Sequence, residues 1–244
     1  MKNTGSRMAG SLRKNDLMKK LCLYAVPAIL ICCACLIIGL YSKASYADFN
    51  EESNPMERFT VGLLTEEMCE RQIDLMRSTL DDSKYIVAAR IADDFRFLPS
   101  CTTQSIEIVK VFKGDSLSVG ETIDIVFSQE IFWNEESATA DTAYINMGFA
   151  NRLAVGETYL LFLDSEIETF NGSRMFIKLD KYLLMPVFSY DHEKIGWAQS
   201  ENEDPEVYEC RYMAVSELDY FLSSEKSADE LKALRKEIIE KYQL

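Results

Sequence analysis

The sequence predicts a mainly β domain with flanking helices, an α+β arrangement, that follows a single membrane-spanning helix. Three observations lead to this prediction. An uncharged apolar run occupies residues 21–41, several short β-type segments follow between residues 85 and 188, and helical patterns lie on both sides of them. An apolar content of 48%, with only 10 Gly and 5 Pro, excludes a disordered chain and a collagen-like repeat.

The apolar run is long enough to cross a bilayer, because a spanning helix needs about 20 apolar residues and satisfies its own backbone groups in lipid. Residues 1–20 carry six basic side chains against Asp16 alone. A basic flank stays in the cytoplasm. We therefore expect membrane lipid to surround residues 21–41 and the bulk of this single-pass protein to lie outside the cytoplasm.

Two fates of the apolar segment are open. Ser45 and Ala47 are small residues placed for signal-peptide cleavage before Asp48. The chain is then either an uncleaved signal anchor in the cell membrane or a secreted protein that begins at Asp48. Both fates put the remainder of the chain in an extracytoplasmic compartment.

The exterior part is strongly acidic. The whole chain has a formal charge of −14, and residues 44–244 alone hold 19 basic and 39 acidic side chains. Phosphate binding needs a basic face, so nucleic acid is excluded as the main partner.

The cysteine pattern limits disulfides and metals. Of seven Cys, only Cys69, Cys101 and Cys210 lie beyond the apolar run, so at most one internal bridge can form. We expect a Cys101–Cys210 disulfide, since both residues lie in polar, loop-like surroundings; three unpaired thiols are the alternative. With His192 as the only histidine, a zinc site is poorly supplied, and we predict no metal and no cofactor.

The chain divides by composition into five parts. These are a basic cytoplasmic tail (1–20), the membrane helix (21–41), a linker (42–64), a helix with a β-domain (65–200), and an acidic loop with C-terminal helices (201–244). Thr65 caps the first exterior helix, which continues to residue 80. Ser216 with Asp219, and Ser227 with Glu230, resemble capping boxes for helices near the C-terminus.

The β-domain is predicted from seven segments separated by turn residues. They are residues 85–91, 103–113, 122–127, 158–163, 175–179, 183–188 and 194–198. Between the third and the fourth lies a long polar connection, Ser128 to Asn151, which we interpret as a functional loop because loops of this length are uncommon in compact domains.

Four of these motifs together resemble a known family. YIVAARI (85–91), VKVFKGD (109–115), GETIDIV (120–126) and VGETYLLFL (155–163) are similar to the bacterial relatives of the tissue-inhibitor-of-metalloproteinase, or netrin-like, domain. The resemblance covers about residues 84–188 and implies an OB-like closed β-barrel at an extracytoplasmic address. The animal inhibitors chelate a protease zinc through an N-terminal Cys, which this chain lacks at that place, so the inhibitory mechanism does not carry over.

Candidate catalytic and metal-ligating residues are few. His192 lies between Asp191 and Glu193, but neighbours on an extended segment point to opposite faces, so we expect an exposed loop histidine rather than a site. The acidic run 201–209 lacks the spacing of a calcium loop and is expected to be solvated. No catalytic residue is predicted.

The function predicted from these observations is non-catalytic. We expect a membrane-anchored binding module that recognises a surface protein or a cell-envelope component. Phe132 and Trp133 in the long connection are the candidate binding residues, because aromatic side chains are enriched in binding hot spots. An envelope hydrolase and a structural accessory subunit of a membrane complex are the alternatives.

Overall fold

The computed structural model describes residues 24–42, 49–98, 101–128, 130–133, 143–168, 174–178 and 181–244. The chain is mixed α/β and rich in sheet, and it forms two units, Met1–Phe49 and Asn50–Leu244. In the first unit, α1 (Tyr24–Ser42) is an exposed helix with a mean hydropathy of 2.4, long and apolar enough to span a membrane. The basic tail and the predicted cleavage site before Asp48 lie outside the described residues.

The second unit contains the remaining elements. Its strands are β1 (Phe59–Gly62), β2 (Tyr85–Ile91), β3 (Arg96–Phe97), β4 (Cys101–Lys113), β5 (Thr122–Ser128), β6 (Glu130–Trp133), β7 (Ala143–Asn146), β8 (Thr158–Glu168), β9 (Arg174–Lys178), β10 (Val187–Ser189) and β11 (Glu209–Arg211). Its helices are α2 (Glu66–Thr79), α3 (Tyr212–Val215) and α4 (Glu225–Lys241), with short 3₁₀ turns at Pro55–Arg58 and Leu80–Asp82.

Five strands form a closed ring. They pair in the order β2, β4, β5, β9, β8, and β8 pairs back with β2. All pairs in the ring are antiparallel except β5 with β9, which runs parallel from Asp124 opposite Met175. β10 extends the sheet beside the first half of β8, and β3 pairs with the start of β4.

The apolar strands predicted from sequence form the core of this ring. The continuous run Tyr159–Leu163 in β8 is buried on both faces, as is β2 at Ala88 and Ala89, which have no accessible surface. The β2–β4 ladder has two register shifts, between Ile86 and Val87 and between Ala88 and Ala89. Such bulges bend and twist a strand, which helps a small sheet to close on itself.

A second sheet is built from segments that the sequence did not assign to strands. Its order is β11, β1, β7, β6. The predicted linker 42–64 is therefore wrong in its second half, because β1 lies there with Phe59 and Val61 fully buried. The predicted loop from Ser128 to Asn151 is also wrong in part, because β6 and β7 pair within it; residues 134–142 lie outside the described residues.

Two helices pack against each other and contribute to the core. Thr65 caps α2 as predicted, accepting a hydrogen bond from the Met68 amide. α4 begins earlier than predicted, because Ser224 rather than Ser227 is its N-cap. The predicted capping box at Ser216 is wrong: α3 ends there, and no helix begins at Ser216 in the described chain.

Three further predictions are corrected. The segment 183–188 contributes only β10, and 194–198 forms no strand. The predicted Cys101–Cys210 disulfide is absent, because Cys101 begins β4 in the ring whereas Cys210 lies in β11 of the other sheet as a buried free thiol. Burial in apolar surroundings raises the pKa of the Cys210 thiol to about 12, so it is an inert core side chain.

We expect Gly114→Ala to destabilise the second unit by about 2 kcal/mol, more than Gly120→Ala, for which about 1 kcal/mol is expected. Both glycines have positive φ, 119° and 81°, but a Cβ on Gly114 would also lie 2.5 Å from Tyr85 Cδ1, whereas the space beside Gly120 is open. Chemical denaturation of the full chain in detergent measures both losses. Equal losses would contradict the contact with Tyr85.

Candidate functional site

A polar cluster lies where the start of β8, the segment after β10 and the approach to α4 meet. It consists of Glu157, Tyr159, His192, Asp219 and Arg235, and we call it the His192 cluster. Its members come from parts of the chain far apart in sequence. The apolar ring and the packed α2–α4 pair bring these parts together, so the cluster is positioned by the core rather than by a local motif.

Both ring nitrogens of His192 face acidic oxygens. Nε2 lies 2.5 Å from Glu157 Oε2, and Nδ1 lies 3.3 Å from Asp219 Oδ2. The Tyr159 hydroxyl is 3.3 Å from Nε2; it donates to Glu157 Oε2 at 3.1 Å and accepts from the Ala154 amide at 3.1 Å. The imidazole is thus enclosed by two carboxylates and a phenol.

Arg235 fixes the backbone that carries the histidine. Its guanidinium donates to the carbonyl oxygens of Ser189 and His192, each at 2.7 Å, and pairs with Glu193 Oε2 at 3.1 Å. Only 14% of its side chain is exposed. These contacts join α4 to the segment that follows β10, and therefore to the ring through the pairing of β10 with β8.

Burial shifts the ionisation of several members of the cluster. Desolvation raises the pKa of Asp219 above its usual value, although the nearby His192 and the Lys194 amide, which donates to Asp219 Oδ2, act in the opposite direction. Desolvation also raises the pKa of Tyr159 and of the fully buried Tyr220 beyond the normal range for tyrosine. The phenols of Tyr159 in the cluster and of Tyr220 beside it therefore stay neutral.

A small cleft adjoins the cluster. Its lining includes Arg152, Ser189, Asp219 and Tyr220, together with Tyr159. The volume open to the centre of a water molecule is about 10 Å³, which is room for about one water. The cleft therefore places a space of about the size of one water molecule beside Asp219.

The structure changes the interpretation of His192. The histidine is not an exposed loop residue, since only 14% of its side chain is exposed. The two acidic residues next to it in sequence bind other groups and not the imidazole, as expected: Asp191 accepts from the Thr158 amide, and Glu193 pairs with Arg235. Glu157 and Asp219 were missed, because no local pattern links residues that lie 35 positions before and 27 positions after the histidine.

The other candidates lie apart from this cluster. Phe132 and Trp133 belong to β6, an outer strand of the second sheet, and their side chains lie outside the described residues. In the acidic run 201–209, Asn202 Nδ2 donates to Glu209 Oε1 at 2.7 Å, and the Glu206 amide donates to Asp204. Within the described ranges, no group of three or more His, Cys, Asp or Glu side chains is arranged to hold a metal ion.

No family model matches the chain, and no curated protein matches it.

We expect Asp219 to make a contribution to the free energy of unfolding that falls as pH rises from about 4, so Asp219→Asn should gain stability relative to the wild type over this range. Because the pKa of Asp219 is raised by burial, the folded protein keeps this proton to a higher pH than the unfolded chain does, and the unfolded state gains relative stability on ionisation. Denaturation at a series of pH values from about 4 to about 6 measures the slope.

Asp229→Asn is the matched control for this experiment, since Asp229 is an exposed carboxylate on α4. It should retain the wild-type slope. If the free energy of unfolding of Asp219→Asn depends on pH as that of the wild type does, Asp219 makes no such contribution.

We expect Arg235→Met to destabilise the protein by about 2 kcal/mol, because two backbone carbonyls and Glu193 lose a charged donor. The neighbouring Lys236 is exposed, so Lys236→Met should change stability by less than about 0.5 kcal/mol. Thermal or chemical denaturation distinguishes the two variants. A loss in Arg235→Met no larger than that in Lys236→Met would mean that the guanidinium does not anchor α4.

Proposed function

We propose that this protein is a membrane-anchored, non-catalytic binding module that acts outside the cytoplasm and recognises a surface protein or a cell-envelope component. The observation that carries the proposal is the connection between β5 and β8, residues 129–157. It leaves the ring, contributes two strands to a second sheet, and carries Phe132 and Trp133 on β6, the last strand of that sheet.

We further propose that the ring is an OB-type β-barrel. If its strands are numbered in chain order, the pairing is 1-2-3-5-4-1 with strands 3 and 5 parallel, which is the connectivity of that fold. The resemblance of four of its segments to netrin-like domains supports the same assignment. OB-type barrels bind their ligands through one face and the loops between strands, and the connection 129–157 is the longest of those here.

The proposed membrane orientation rests on charge. α1 is long and apolar enough to span a bilayer, and basic residues precede it. Positively charged flanks favour the cytoplasmic side, which would leave Asn50–Leu244, with 19 basic and 38 acidic side chains, on the opposite side. An excess of acidic charge suits a protein that approaches basic surfaces rather than anionic lipid.

The His192 cluster supports a binding role over hydrolysis. A general base must reach the proton that it abstracts, whereas Nε2 of His192 is occupied by Glu157 at 2.5 Å and Nδ1 faces Asp219. The adjoining cleft has room for about one water molecule. The cluster is therefore better suited to holding segments of the chain together than to turning over a substrate.

We expect Phe132→Ala with Trp133→Ala to abolish the capture of specific neighbours by the exterior unit. Proximity labelling in intact cells, with the labelling enzyme fused after Leu244, measures this. The wild type should label a distinct set of surface proteins or envelope components. The double variant should lose at least about 2 kcal/mol of binding, about 1 kcal/mol for each truncated hot-spot residue, which is about thirtyfold in affinity.

Trp197→Ala is the matched control, because Trp197 is the other tryptophan, is 48% exposed and lies outside the connection. It should label the same neighbours as the wild type. If the double variant also labels those neighbours, the connection is not the binding surface. If the wild type labels only abundant proteins, the binding proposal itself is wrong.

A further inference from the structure

The chain has a single histidine, His192, and the groups around it favour a positively charged imidazole. Nε2 is 2.5 Å from Glu157 Oε2, and Nδ1 is 3.3 Å from Asp219 Oδ2. A neutral imidazole carries one proton, so its second nitrogen would present a lone pair to an anionic oxygen. An imidazolium has a hydrogen on each nitrogen and is attracted by both carboxylates.

The Tyr159 hydroxyl indicates which nitrogen keeps its hydrogen. This hydroxyl donates to Glu157 and accepts from the Ala154 amide, so the side facing Nε2 is acceptor in character. Nε2 therefore carries a hydrogen in either charge state. Nδ1 is buried and makes no well-aligned hydrogen bond within the described part of the chain, and Asp219 is the carboxylate beside it. Nδ1 is the nitrogen whose proton changes.

The remaining charged groups around the imidazole make their contacts elsewhere and do not offset its attraction to the two carboxylates. On α4, Arg235 directs its guanidinium to the carbonyl oxygens of Ser189 and His192 and to Glu193, rather than to the imidazole. On the segment of the histidine, Asp191 accepts from the Thr158 amide, and the Lys194 amide donates to Asp219. The two carboxylates are thus the charges that face the imidazole directly.

These contacts connect three parts of the chain. Glu157 precedes β8 of the ring, His192 follows β10, and Asp219 lies on the approach to α4. The approach to α4 also pairs with the end of the β5–β8 connection: the Asn151 amide donates to the Asp219 carbonyl, and the Phe221 amide donates to the Phe149 carbonyl, each at 2.9 Å.

We propose that His192 is a pH-sensitive latch. The protonated imidazole holds the start of β8 against residues 216–224, and loss of the Nδ1 proton weakens this contact. Histidine is the side chain whose protonation ordinarily changes in the physiological pH range. Residues 216–224 pair with residues 149–151, near the end of the β5–β8 connection that is proposed above as the binding surface. The latch therefore links pH to that end of the connection. The latch itself does not depend on that proposal.

The presence of one histidine makes the test direct. The full chain, labelled with ¹⁵N-histidine and held in detergent micelles, gives a single imidazole spin system. We expect both nitrogens to be protonated at about pH 6 and only Nε2 to remain protonated at about pH 8.5. Across the same range, protection of the amides of 216–224 from hydrogen exchange should fall by about tenfold or more, after correction for intrinsic exchange.

His192→Gln and Glu201→Gln are the paired variants for the exchange measurement. His192→Gln should exchange at about pH 6 as the wild type does at about pH 8.5, whereas Glu201→Gln removes an exposed carboxylate outside the cluster and should behave as the wild type. A neutral imidazole at the lower pH would overturn the latch proposal, and so would amide protection of residues 216–224 that does not change with pH. The nuclear magnetic resonance titration uses only the wild type, so it decides the matter even if His192→Gln fails to fold.

Discussion

Closure of the ring through the parallel pair β5–β9 determines how the remaining segments of the second unit are connected. β8 is antiparallel to both β2 and β9, so it starts at the same end of the ring at which β5 stops. β9 lies between these two strands. Residues 129–157 must therefore cross that end of the ring, and a connection of this kind cannot be a tight turn.

The second sheet follows from this crossing. A long connection with buried backbone needs partners for its amides and carbonyls, and β7 finds one in β1, which precedes the ring in sequence. β1 in turn pairs with β11 near the C-terminus. Strand pairing thus joins the N-terminal and C-terminal parts of the second unit to the connection. The charged contacts of the His192 cluster join the same C-terminal part to the start of β8. The apolar core and the charged cluster therefore restrain the same segment.

The elements that were predicted from sequence are those whose stability has a local origin. The cap at Thr65 and the apolar run of β8 are visible in a short window, because a cap bonds to the next turn and a buried strand is apolar throughout. β1, β7 and β11 are only three or four residues long and exist through partners distant in sequence, so no periodicity identifies them. The partners of His192 were hidden for the same reason: Glu157 follows a turn glycine and Asp219 resembles part of a helix cap, and only the folded core brings them together.

The proposed location of the acidic unit, outside the cytoplasm on a membrane anchor, can be tested directly by measuring its orientation. Intact cells are treated with a membrane-impermeant, amine-reactive reagent, and the modified lysines are located by mass spectrometry of the purified chain. We expect modification of exposed lysines in the second unit, such as Lys181 and Lys236, while Lys14 and Lys20 should react only after lysis. Modification of Lys14 and Lys20 in intact cells, with the second unit protected until lysis, would contradict it.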